Sequence, residues 1–152
     1  MIRTLIVILV LGLVIAACNK DKFQTKPTLE LKSMNGNVIP VGSSLLVEFE
    51  FTDKEGDVND TLFVKKVRLN KLKVPTIRDS FGLPVPDFPK NTKGTIQVLM
   101  DNAFYLASAA NPPKDPVSGK NQSDTLILKF TLKDRANNVS DTVTTGQIIV
   151  LR

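Results

Sequence analysis

Two stretches of strict period-two alternation constrain this chain more than any other feature. Leu45, Val47, Phe49 and Phe51 share one face of a run whose other face carries Glu48 and Glu50. Leu126, Leu128, Phe130 and Leu132 repeat the pattern opposite Thr125, Lys129 and Thr131. Successive side chains point to opposite faces of an extended strand, so this spacing makes one face apolar and leaves the other wet. Ile96, Val98 and Met100 form a shorter case, and Leu29 and Leu31 another. No window carries a 3.6-residue apolar period, and Ala103 to Ala110 is the only stretch suited to a short helical turn. Strands separated by turn-formers predict an all-β antiparallel sandwich rather than a parallel α/β sheet. Two connections are long and rich in proline: 79–93 with Pro84, Pro86 and Pro89, and 111–123 with Pro112, Pro113 and Pro116. Proline lacks an N–H donor, so neither segment can be a central strand.

The N-terminal segment has a different logic. Arg3 precedes an apolar run of 13 residues from Leu5 to Ala17, and Ile15-Ala16-Ala17 leads into Cys18, the only cysteine. A membrane-spanning helix needs about 20 apolar residues, so this run is too short and reads as a signal peptide. The arrangement resembles the lipobox of bacterial lipoproteins. That resemblance implies a mature chain beginning at Cys18 and held to membrane lipid by several acyl chains on that residue. Two or more chains anchor stably where one does not. A buried structural cysteine and an uncleaved anchor are the competing readings. The polar Asn19-Lys20-Asp21-Lys22 directly after Cys18 favours lipidation. The expected organisation is a lipoprotein signal peptide over 1–17, a lipidated tether over 18–27 and one sandwich domain over 28–152.

Composition excludes several kinds of chemistry. The chain has no histidine, and its one cysteine is assigned to the anchor. Ser-His-Asp triads, cysteine nucleophiles and His- or Cys-ligated zinc are therefore out of reach. A carboxylate pair can still act as acid and base, but none of the four glutamates sits in a catalytic context. The expectation is a protein that is not an enzyme, with no identifiable small-molecule substrate. Net charge is +5, falling to +4 once Arg3 leaves with the signal. That mild excess suits anionic lipid. The basic residues lack the dense, aromatic-interleaved footprint of a nucleic-acid binder.

Asp53 to Leu62 and Asp134 to Val143 echo each other: Asp, a basic residue, then Val, a polar residue, Asp-Thr and an aliphatic. Both are expected to be strand–turn–strand hairpins. Asp at the strand exit makes an Asx-type turn, and Gly56 or Asn137-Asn138 supplies a positive φ. In an immunoglobulin-like sandwich they are the B–C and F–G connections, which lie at one end. Asp53, Glu55, Asp57 and Asp134 are then calcium candidates, since calcium takes six to eight oxygens. The EF-hand pattern fails, because Val58 stands where it needs glycine and Val64 where it needs glutamate. The simpler reading is a solvated acidic turn, with no cofactor.

Three segments resemble small Ig-like lipoproteins of the Bacteroidota. They are Phe51-Thr-Asp-Lys-Glu-Gly-Asp-Val, then Leu83-Pro-Val-Pro-Asp-Phe-Pro-Lys with Lys93-Gly-Thr-Ile-Gln-Val, and Lys133-Asp-Arg-Ala-Asn-Asn-Val-Ser. Glu55 and Asn137 stand where that pattern often has Asp and Gly. The resemblance implies an immunoglobulin-like sandwich and a lipid-anchored outer-membrane protein, periplasm-facing or surface-exposed, without implying an activity.

Phe81, Leu83, Val85 and Phe88 lie in the stiff proline-rich connection. They serve either as a docking segment for a partner protein or as a cap on the sandwich, the second being favoured because large exposed apolar patches are uncommon. The basic strip Lys65, Lys66, Arg68, Lys71 and Lys73 reads first as protection of an edge strand. Thr61, Thr125 and Thr142, each after an Asp and before an aliphatic residue, resemble O-glycan acceptors of Bacteroidota. The competing explanation is a turn aspartate that feeds a strand. The resulting expectation is a non-catalytic binding or accessory module, perched on a larger outer-membrane complex. The alternative is a calcium- or glycan-binding surface adhesin.

Overall fold

Alternation becomes two packed sheets in the computed structural model, which describes residues 25–152. Leu5 to Ala17, Cys18 and most of the tether lie outside the described residues. The first apolar run is β3, Ser44–Thr52, with Leu45, Val47, Phe49 and Phe51 buried. It pairs antiparallel with β1 (Thr28–Met34) on one side and β6 (Lys93–Asp101) on the other. The second run is β7, Asp124–Lys133, whose Leu126, Leu128, Phe130 and Leu132 are fully buried. It is flanked by β4 (Thr61–Arg68), which in turn pairs with β5 (Ser80–Pro84). On its other side lie β8 (Val143–Thr144) and β9 (Ile148–Val150), and β2 (Val38–Ile39) pairs with β9. The Phe49 and Phe130 rings meet edge-on with centroids 4.7 Å apart, joining the middle strands of the two sheets. Edge-on contact suits the aromatic quadrupole and adds to the burial of both rings.

The strand order is that of an immunoglobulin-like sandwich: β1, β3 and β6 take the places of A, B and E, and β4, β7 and β8–β9 those of C, F and G. One pair departs from the expected antiparallel rule. The chain leaves the first sheet after Met34, turns at Asn35–Asn37 and runs β2 parallel to β9, with Val38 opposite Ile149. Asn35 makes that departure tight, because its side chain accepts from Leu46 N at 2.9 Å and donates to Ser44 O at 3.1 Å.

Two further expectations change. Lys65, Lys66 and Arg68 are not on an edge: β4 lies between β5 and β7, and the buried Lys66 points its amine at Tyr105 O and Ala107 O, 2.8 and 2.9 Å away. The helical turn expected near Ala103 is a single π-helical turn, Asn102–Leu106. Buried Asn102 donates to Ile39 O and Pro40 O, both at 3.0 Å, fixing the turn to the lower edge of the sheets.

Candidate functional site

The echoed loops meet at one end of the sandwich, as expected, but they are not two hairpins. Loop 134–142 joins β7 to β8 within one sheet, whereas loop 53–60 crosses from β3 in one sheet to β4 in the other. Their local geometry nevertheless matches. Asp53 Oδ2 accepts from Asp57 N at 3.0 Å, and Asp134 Oδ1 accepts from Asn138 N at 2.7 Å. In each loop the residue before that donor is left-handed: Gly56 at φ 68° and Asn137 at φ 69°. The Asx turn and the positive φ are thus both realised. Glycine is needed at 56 for a second reason, because a Cβ there would lie 3.0 Å from Asn91 N.

This pairing draws three carboxyls together. One oxygen each from Asp53, Asp57 and Asp134 lies within 4.8 Å of the others. Asp134 is fully buried and Asp53 is 3% exposed, while Asp57 is partly buried. Glu55 is exposed and stays outside the cluster. The two loops are bonded directly, Arg135 N donating to Asp57 O at 3.0 Å. Asp134 is well supplied, since Asn138 also donates to its Oδ2 through Nδ2 at 2.9 Å. Asp53 Oδ1 and Asp57 Oδ1 are buried and receive no N–H or hydroxyl donor among the described residues. Burial pushes the Asp57 carboxyl above the ordinary carboxylate range, a side-chain hydrogen bond shared with the Asp53 carboxyl pushes the same way, and the charges of Asp134, Asp53 and Glu55 add to it.

Three of the nearby bases are committed to other acids. Lys133 pairs with Asp60 at 3.0 Å, Arg135 with Asp87, and Lys93 with Glu50 at 3.0 Å. None of these pairs reaches the cluster. The Thr61 hydroxyl and Lys133 hold the Asp60 carboxyl below the usual range, the opposite of the shift at Asp57.

At the other end of β7 lies a buried acid the sequence reading passed over. Asp124, fully buried, accepts from Arg68 Nε at 2.8 Å and Ser108 N at 2.9 Å, and Arg152 stands 3.7 Å away. Lys66 is nearby, its pKa lowered to about 8 by burial, an effect that Asp124 partly opposes. The only local signal for this group was the basic strip in β4.

The remaining candidates separate plainly. Val85 is buried, and Phe81, Leu83 and Phe88 are half-buried against the core. Phe88 packs on Phe51 and Phe81 on Tyr105, with ring centroids 5.9 and 5.2 Å apart. Phe81 and Leu83 belong to β5, the edge strand beside β4, rather than to a loop, and Val85 and Phe88 follow it. Thr142 is exposed, whereas Thr61 and Thr125 are half-buried at the starts of β4 and β7. Asp60 immediately precedes β4, and Asp141 stands two residues before β8. Cys18 lies outside the described residues. No protein-family model matches this chain, and no curated protein matches it.

Proposed function

We propose that the protein is a lipid-anchored, non-catalytic binding module of the outer membrane, acylated at Cys18 and acting as an accessory subunit of a larger membrane protein complex. The observation that supports this most is where the chain enters the sandwich. Thr28 pairs with Thr52, and Lys26 Nζ meets Asp141 Oδ1 at 2.6 Å, so the described chain begins beside the acidic loops. Fully extended, residues 18 to 25 reach roughly 25 Å. An acylated Cys18 would therefore hold the acidic-loop end toward the lipid and turn the opposite end away from it.

That opposite end carries most of the exposed apolar side chains. Val41, Leu69, Leu72, Ile77, Phe104 and Val117 are all exposed there, with Val117 at 94%. Such an asymmetry suits a module that meets a protein partner away from the lipid. The absence of histidine and of any cysteine besides Cys18 supports a non-catalytic role.

The test has two parts. Cys18→Ala is expected to abolish incorporation of radiolabelled palmitate and to leave an unprocessed precursor; normal labelling of that variant refutes the anchor. A photo-crosslinking residue at Val117 or Leu72 is expected to capture a membrane protein that the same group at Asn137 does not. Equal capture from both ends refutes the orientation.

A further inference from the structure

We propose that Asp53, Asp57 and Asp134 form a calcium site that clamps the two echoed loops together. The geometry suits the ion. One carboxyl oxygen from each residue lies within 4.8 Å of the other two, close enough for a single ion with bonds of about 2.4 Å to touch all three. Magnesium demands near-ideal octahedral geometry and gives up its waters reluctantly, so three carboxyls drawn from two irregular loops suit it less well. The donors are all hard oxygens, with no imidazole or thiolate in the group, which disfavours zinc.

Clustered acids alone would not carry the assignment, since many acidic turns are merely solvated. The deciding observation is the state of Asp53. Its side chain is 3% exposed, yet Oδ1 receives no N–H or hydroxyl donor among the described residues, and Asp57 Oδ1 is in the same position, so these two carboxyls have only each other and a shared proton to offset their charge. A buried carboxylate oxygen that has lost water and gained no donor is costly to fold around. The chain supplies donors to Asp134 from Asn138 but none to these two atoms. A divalent cation would take both, and water would fill its remaining positions. The loops are already held in register by Arg135 N on Asp57 O, so the third ligand needs no search to arrive.

The site does not depend on acylation of Cys18. Full-length protein in detergent, stripped with chelator, would be titrated with calcium chloride by calorimetry and followed by thermal melting. The expected result is saturable binding of one ion per chain, with Kd near or below about 10⁻³ M. A rise of several degrees in melting temperature is expected at about 10 mM calcium. Magnesium is expected to bind at least tenfold more weakly. Asp57→Asn, the partly exposed member and hence the mildest to replace, is expected to lose at least tenfold in affinity, and Glu55→Gln to change nothing. A folded wild-type protein that shows no saturable heat and no thermal shift overturns the proposal. So does an Asp57→Asn variant that binds like wild type. Should Asp57→Asn fail to fold, the wild-type titration and Asp134→Asn decide, with equal binding by Asp134→Asn and wild type counting against the site.

Discussion

Strand β7 has a buried carboxylate at each end, and the two are treated in opposite ways. Asp124 opens the strand among Arg68, Arg152 and the N–H groups of Ser108 and Ala109. Asp134 follows the strand's last residue and faces two more acids. Both are fully buried. At the Asp124 end the chain supplies its own counter-charge, so that group explains itself as part of the fold. Buried polar atoms without a partner occur at both ends, Arg68 Nη2 and Ser108 Oγ beside Asp124 and Asp53 Oδ1 and Asp57 Oδ1 beside Asp134, but only at the Asp134 end are they carboxyl oxygens gathered among like charges. Buried carboxyls need a counter-charge, so the end that has arginines is complete and the end that has only further acids is where an outside cation has work to do.

The comparison is broken most forcefully at Asp124. Asp124→Ala leaves Arg68 and Arg152 facing a void, and removal of one partner from a buried ion pair costs about 3–5 kcal/mol. Urea denaturation measures this, and a loss below about 1 kcal/mol would mean that the Asp124 end is no better compensated than the other. The calcium response should survive in this variant wherever it stays folded, because the two ends share no ligand.

A smaller effect tests the same end by pH. Lys66 is held at a pKa of about 8 in the fold against 10.5 in a free chain. Between those values the unfolded chain binds more protons, so stability rises with pH across that window and is unaffected by this group outside it. Lys66→Met should flatten that rise relative to wild type. An unchanged slope between pH 8 and pH 10.5 would show that the amine is not desolvated as its position requires.

The smallest effect separates the two loops. Gly56→Ala places a Cβ against the Asn91 backbone at positive φ and should cost about 1 kcal/mol or more. Asn137→Gly keeps its left-handed conformation and should change stability by less than about 0.5 kcal/mol in either direction. Equal costs in paired urea melts would remove the distinction between a crowded loop and an open one.

Much of the fold was legible because its signals are local. Leu45 to Phe51 and Leu126 to Leu132 declare their buried faces without reference to any partner. The Asp53 and Asp134 turns were legible for the same reason, since the acceptor, the left-handed residue and the donor lie within five positions. What was hidden depends on distance along the chain. Asp60-Thr61, Asp124-Thr125 and Asp141-Thr142 look alike in sequence, yet only Asp124 is buried in an ion pair, because Arg68 lies 56 positions away and is brought back by the pairing of β4 with β7. Lys66 looked like edge protection until β5 covered the outer side of β4. The parallel β2–β9 pair had no signal at all in two residues of β2. The site follows the same division: each half was visible, but the crossing of loop 53–60 between sheets, which sets Asp57 against Asp134, was not.

Strand β7 also works as a ruler. Ten extended residues cover roughly 33 Å, so a fluorophore at Asn137 and one at Val117 would report on two planes separated by about that height. With the described chain beginning beside Asp141, quenching by a lipid-borne dye would read the tilt of the whole domain from the ratio of two intensities.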